Sequence, residues 1–88
     1  MARMEISTDM VELAAQTGTP DALFELGMLY ATGRDVAADL VVAHKWFNLA
    51  AVKGRADAIA MRREVAELMS DVEIATAQRE ARDWMTAH

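Results

Sequence analysis

The stretch L-A-A-Q-T-G-T-P-D-A at residues 13–22 returns as L-A-A-V-K-G-R-A-D-A at residues 49–58. The shared pattern is L-A-A-x-x-G-x-x-D-A, and its two copies lie about one helix–turn–helix repeat unit apart. Each copy has the features of a helix end, a glycine stop and the start of the next helix. The duplication therefore predicts an all-α fold, an α-α superhelix of about five antiparallel helices.

The length and composition indicate how large the core is and which kinds of side chain fill it. With 88 residues the chain forms one domain, near the lower limit for a self-sufficient core. Apolar residues make up 53% of the chain but aromatic residues only 6%, which favours closely packed helices over a core of large side chains. There is no cysteine, so disulfides, thiolate catalysis and cysteine-ligated zinc are excluded.

The charge pattern limits the partners. The formal net charge is −5, and no basic stripe is present, so we expect no nucleic-acid partner. An acidic surface would repel anionic lipid, and the apolar runs are too short to span a bilayer, so no membrane partner is expected either. The N-terminus lacks the apolar segment of a signal peptide. A cytoplasmic location is the default expectation.

Turn and cap residues place five helices along the chain. Thr19 and Pro20 are predicted to cap and begin the second helix. Ser70 and Glu73 form a capping box before the fifth helix, flanked by a hydrophobic staple of Met69 and Ile74. The predicted spans are Thr8 or Asp9 to Gly18, Pro20 to about Thr32, about Ala38 to Gly54, Ala56 to Leu68, and Ser70 onwards.

The apolar spacing predicts which face of each helix is buried. The third helix is apolar on nearly two faces and is expected to be the most buried. Gly27 lowers the helix propensity of the second helix, so it needs a packing reason, and we expect a neighbouring helix to approach it closely. The predicted faces are Met10, Leu13 and Ala14 in the first helix, Ala58, Met61, Val65 and Leu68 in the fourth, and Ile74, Ala77, Ala81, Trp84 and Met85 in the fifth.

Residues 21–58 resemble a known repeat family. The matching residues are Ala22, Leu26, Gly27, Tyr30, Gly33, Val36, Asp39, Ala43, Trp46, Phe47, Ala50, Ala51, Gly54 and Ala58. They follow, in order, most of the pattern A-x3-L-G-x2-Y-x2-G-x-G-V-x2-D-x3-A-x2-W-[YF]-x2-A-A-x2-G-x3-A. This segment is similar to the Sel-one-like repeat (SLR) family, relatives of the tetratricopeptide repeat (TPR). The sequence departs from the pattern at Asp35, where the family usually has glycine.

The resemblance implies a single SLR-type domain over residues 1–88. Residues 8–18 would be a partial repeat, residues 20–54 a complete repeat, and residues 56–88 a degenerate closing helix pair. The ending also resembles the tail of small bacterial SLR proteins. The family implies a TPR/SLR-like solenoid that acts as an adaptor or scaffold rather than a catalyst. It does not identify a ligand, and no binding residue carries over from it.

The sequence offers little for catalysis, and we predict no catalytic, cofactor-binding or metal-binding residues and no cofactor. The two histidines are His44 and the last residue, His88. His44 has no second ligand one turn away and is predicted to be solvated on a polar flank of the third helix. An enzyme or metal protein that uses His44 and nearby carboxylates is therefore a remote hypothesis.

Four apolar residues are candidates for partner binding: Phe24, Met28, Trp84 and Met85. Phe24 falls beside the main stripe of its helix, and Trp84 and Met85 lie near the chain end, where they either seal the last helix or form an adhesive edge. Methionines provide adaptable apolar surface. With so few repeats, either helices one and five act as caps or another chain covers an open apolar face. The partner that we expect in the second case is another protein, a peptide or helix. The alternative is self-association, for example as a homodimer.

Overall fold

The computed structural model describes residues 8–87, with side chains from residue 11 onward. Within this range the chain is all-helical, as predicted. The helices are α1 (Thr8–Thr17), α2 (Pro20–Thr32), α3 (Leu40–Val52), α4 (Asp57–Ala66) and α5 (Asp71–Ala87). None of these helices combines the length and the hydropathy that crossing a bilayer requires.

Helix α2 begins and ends at the predicted residues. The Thr19 hydroxyl accepts a hydrogen bond from the backbone N–H of Ala22 at 3.2 Å, and Pro20 occupies the first turn. Gly33 ends the helix with φ +74°, a left-handed conformation that glycine adopts without strain. Asp35 also has a positive φ, +65°, a left-handed conformation that aspartate tolerates in turns.

Helix α3 is the centre of the fold. Asp39 caps its start by accepting a hydrogen bond from the N–H of Val42 at 3.2 Å. The helix packs against α2, α4 and α5, while α1 packs against α2. The prediction that the third helix is the most buried is confirmed. Its buried residues are Ala43, His44, Trp46, Phe47, Leu49 and Ala50.

The close approach predicted at Gly27 is also confirmed. A Cβ atom at this position would lie 2.5 Å from Cδ1 of Phe47, whose ring is fully buried. The absence of a side chain in α2 therefore makes room for the largest fully buried side chain of α3.

The capping box at the start of α5 is present as predicted. The backbone N–H of Ser70 donates to Oε1 of Glu73 at 2.8 Å, and the N–H of Glu73 donates to Oγ of Ser70 at 3.1 Å. Helix α4 is shorter than predicted, because two overlapping turns carry the chain from Ala66 to the box: Leu68 N–H donates to Val65 O, and Met69 N–H to Ala66 O.

Two apolar clusters share α3. The first joins all five helices around Leu23, Trp46 and Leu49, with Ala58 as the contribution of α4. The second joins α2, α3 and α4 around Ala43, Phe47 and Val65. The radius of gyration is 12.5 Å, close to the value of about 12 Å for a compact domain of this length.

Three predictions about buried faces are wrong. Leu13 is 66% exposed and Leu68 is 75% exposed, because none of the described helices covers the outer side of α1 or the turn after α4. Met85 is 45% exposed, although it lies one turn beyond buried Ala81 on α5. Met10, predicted to share the face of Leu13, lies outside the residues whose side chains the structure describes.

Candidate functional site

A groove of about 220 Å³ lies along α2 and the loop that follows it. Its apolar lining residues are half-buried, and its polar ones are exposed, so the apolar side chains lie deeper. The lining residues are Phe24, Glu25, Met28, Leu29, Thr32 and Arg34. An apolar base with a polar rim is the arrangement found in protein–protein interfaces.

Two of the four predicted partner-binding residues meet in this groove. Phe24 and Met28 are one turn apart on α2, so helical geometry places them on the same face. Both also pack against the cluster around Phe47. The groove is small for a drug-sized ligand, whose pockets usually exceed about 300 Å³. It suits the insertion of one or two apolar side chains.

Phe24 is held firmly on both sides. Its ring meets Phe47 edge-to-face, with centroids 5.5 Å apart and planes inclined by 60°. The guanidinium carbon of Arg55 lies 3.9 Å from its centroid, a cation–π contact. The ring is therefore a preorganised wall of the groove rather than a mobile surface residue.

Arg55 joins three parts of the chain at this wall. Its Nη1 lies 3.0 Å from Oδ1 of Asp21 in α2, and its Nε lies 2.8 Å from Oδ1 of Asp57 in α4. The hydrogen bond from Arg55 lowers the pKa of the Asp57 carboxyl group, and its charge adds to the effect. The same hydrogen bond raises the pKa of Arg55. Sequence spacing alone does not predict this three-membered bridge, because its carboxylates come from different helices.

Of the other two predicted residues, Trp84 packs against the apolar cluster around Leu23, Trp46 and Leu49, and Met85 does not. The ring of Trp84 meets that of Trp46 edge-to-face, with centroids 5.9 Å apart and planes inclined by 82°. Its Cη2 also comes within 3.7 Å of a Cβ position at Gly18, the turn between α1 and α2. Trp84 thus seals the end of α5 against α3 and the first turn, while neighbouring Met85 is partly exposed.

The prediction for His44 is wrong. The side chain is only 3% exposed, because α3 is covered by other helices even on its most polar flank. Burial lowers the pKa of the imidazole, and the positive charge of Arg62 lowers it further. Arg62 in turn donates from Nη1 to Oδ1 of Asn48 at 2.6 Å. A site beside a guanidinium group is electrostatically unfavourable for a metal cation.

Among the exposed apolar side chains of the described residues, the two with the highest exposed fractions lie at the corner between α4 and α5. Leu68 is 75% exposed and Val72 is 76% exposed. They are four positions apart in sequence, with Leu68 before the capping box of Ser70 and Glu73 and Val72 within it.

In the part of the chain described here, no group of three His, Cys, Asp or Glu side chains is arranged to hold a metal ion. His88 lies outside that part. Comparisons with protein-family models, curated proteins and solved structures gave no match.

Proposed function

We propose that the chain is a small protein-interaction module, an adaptor or scaffold built on a Sel-one-like repeat, and not an enzyme. The observation that carries this proposal is the groove in which Phe24 and Met28 lie together. It combines half-buried apolar side chains, a polar rim and a wall fixed by Phe47 and Arg55. Such preorganisation reduces the entropy lost on binding.

The proposed solenoid character draws support from the order of helix packing. The complete repeat, residues 20–54, corresponds to α2 and α3. It packs on its N-terminal side against α1 and on its C-terminal side against α4 and α5, as a central unit does in a repeat array. The position of Trp84 against the first turn would make such a solenoid unusually compact.

The location that we propose for this module is the cytoplasm.

The partner we propose is an amphipathic helix of another protein. Its apolar side chains would enter between Phe24 and Met28, and its charged side chains would meet the rim. The rim offers complementary charges along the groove, with the carboxylate of Glu25 on α2 and the guanidinium of Arg34 just beyond the end of α2. A helix with a basic residue at one end and an acidic residue at the other would match both charges.

Affinity capture tests this proposal when it is done with matched variants. The wild-type chain, Met28→Glu and Val72→Glu are each used as bait in a cell extract, and captured proteins are identified by mass spectrometry. Met28→Glu puts a charge into the groove, whereas Val72→Glu puts the same charge on the remote α4–α5 corner. A partner that is captured by Val72→Glu but not by Met28→Glu supports the proposal. The purified helical segment of that partner must also bind directly to the purified wild-type chain.

Equal capture by all three baits would contradict binding in the groove. Circular dichroism of each variant establishes that the fold is intact, and Met28→Ala offers a milder change if the glutamate variant does not fold.

The alternative function is a self-associating structural protein. The observation that favours it is the exposed apolar pair Leu68 and Val72 at the α4–α5 corner. Light scattering after gel filtration separates the two functions. An oligomer that becomes a monomer in Val72→Glu but not in Met28→Glu would support self-association, and a wild-type monomer at high concentration would exclude it.

A further inference from the structure

A polar cluster of one buried and two half-buried side chains occupies the contact between α3 and α4. It consists of His44, Asn48 one turn later on α3, and Arg62 of α4, whose Nη1 donates to Oδ1 of Asn48. His44 is 3% exposed, and its Nδ1 is buried without a hydrogen-bond partner. Buried polar atoms are normally paired, so this unpaired nitrogen is an exception that calls for an explanation.

The surroundings of His44 accommodate the neutral imidazole and oppose the charged one. Burial and then the charge of Arg62 lower its pKa, and no carboxylate in the described parts of α2, α4 or α5 contributes to the shift. On α3 itself, the neighbouring ammonium of Lys45 lies over the ring of Trp46, 4.5 Å from its centroid. A proton on His44 would therefore create a buried cation beside Arg62.

Helix α4, which carries Arg62, is less firmly packed on α3 than α2 is. It buries only Ala58 and Val65, and its first turn has no side-chain cap. Helix α2, by contrast, is capped by Thr19 and buries Leu23, Leu26 and Gly27 against α3. Elements with few buried contacts open locally at lower free energy than the rest of a fold.

We propose that the α3–α4 contact is an acid-sensitive joint, in which protonation of His44 releases α4 from α3 while α2 and α3 stay packed. This inference goes beyond the proposed function and does not depend on it. Histidine is suited to the role because its charge changes within the physiological pH range.

The direction of the pH effect follows from linkage. In the open state His44 is solvated and titrates near its ordinary value of 6.5, whereas the closed state holds the neutral form to lower pH. Below pH 6.5 the open state therefore binds more protons, and acid favours opening. The closed-to-open ratio falls by up to about tenfold per pH unit until the pKa of the closed state is reached, and it is constant above pH 6.5.

Amide hydrogen exchange on the full chain tests the joint. Protection factors, corrected for intrinsic exchange rates, are compared at pH 7.5 and 5.5 for wild type, His44→Gln and His88→Gln. We expect α4 protection to fall by up to about tenfold in wild type and in His88→Gln, which keeps His44. Protection in α2 should change less, and His44→Gln should show no acid-dependent loss in α4.

Three results would overturn the proposal. The first is an equal loss of protection in α2 and α4, which indicates global unfolding. The second is an unchanged acid response in His44→Gln. The third is a pKa of 6.5 or above for the His44 imidazole in NMR titration of the wild-type protein, because the closed state would then not exclude the proton. This titration needs no variant, so it tests the proposal even if His44→Gln does not fold.

Discussion

Gly27 of α2 and Phe47 of α3 fit together so closely that a methyl group on Gly27 would stand 2.5 Å from the ring of Phe47. Three ring atoms, including Cγ near the backbone, would lie within 3 Å, and the ring is fully buried. Alanine usually stabilises a helix by about 1 kcal/mol relative to glycine. We expect Gly27→Ala to destabilise this fold instead, by up to about 2 kcal/mol net, because overpacking costs about 1–3 kcal/mol. Urea unfolding followed by tryptophan fluorescence measures the change.

The double variant Gly27→Ala/Phe47→Leu provides the control for this clash. Leucine lacks the rigid ring and its Cε1 atom, one of the three atoms that the new methyl group would meet, and its branched end can rotate away. The alanine should therefore cost less in the Phe47→Leu background than in wild type. If Gly27→Ala is as stable as wild type or more stable, the close approach of the two helices is wrong.

The local signals in the sequence predicted the helix boundaries well. Thr19, Ser70 and Glu73 act through hydrogen bonds to backbone atoms no more than three residues away, so their roles follow from sequence spacing alone. Gly27 predicted a close helix contact for a related reason. A glycine inside a helix lowers the helix propensity of its own segment, and favourable packing is what offsets that loss.

The errors concern residues whose surroundings depend on distant segments. His44 was assigned to a polar flank from its own helix, yet α3 is enclosed by three other helices. Leu68 has the spacing of a buried residue, but none of the described helices covers the outer side of the turn that carries it. The groove also depends on tertiary structure, because Arg55 reaches Phe24 from another helix boundary. Spacing within one helix identifies an apolar face but not the number of neighbours that cover it.

Trp46 is expected to be the most sensitive large side chain in α3. It is buried, and its ring meets Trp84 edge-to-face. Trp46→Ala should lower the free energy of unfolding by about 3–5 kcal/mol, a loss comparable with the total stability of many small domains. Thermal unfolding followed by circular dichroism should show a largely unfolded chain. Trp46→Phe, which retains an aromatic ring, should lose much less, and a fully folded alanine variant would contradict the core position.

The capping box offers a smaller and more local test. Ser70→Ala removes the oxygen that accepts the hydrogen bond of the Glu73 N–H at the start of α5, and it should cost about 1 kcal/mol. Ser70→Thr keeps a hydroxyl acceptor, so it should remain close to wild type in the same urea titration. Equal losses in the two variants would show that the hydroxyl group does not stabilise the helix start.

The bridge between Arg55 and Asp57 predicts a pH effect at the start of α4. Because the hydrogen bond from Arg55 lowers the pKa of Asp57 below its ordinary value of 3.8, the folded state favours the carboxylate. The resulting stabilisation is complete at pH values well above 3.8 and is lost as the pH falls from there through the lowered pKa. Arg55→Gln should raise the pKa of Asp57 towards 3.8, as measured by NMR titration of its carboxyl carbon. Arg63→Gln, which removes the same charge from an exposed position of α4, should leave Asp57 nearly unchanged. The same titration midpoint in all three proteins would mean that Arg55 does not hold the carboxylate in solution.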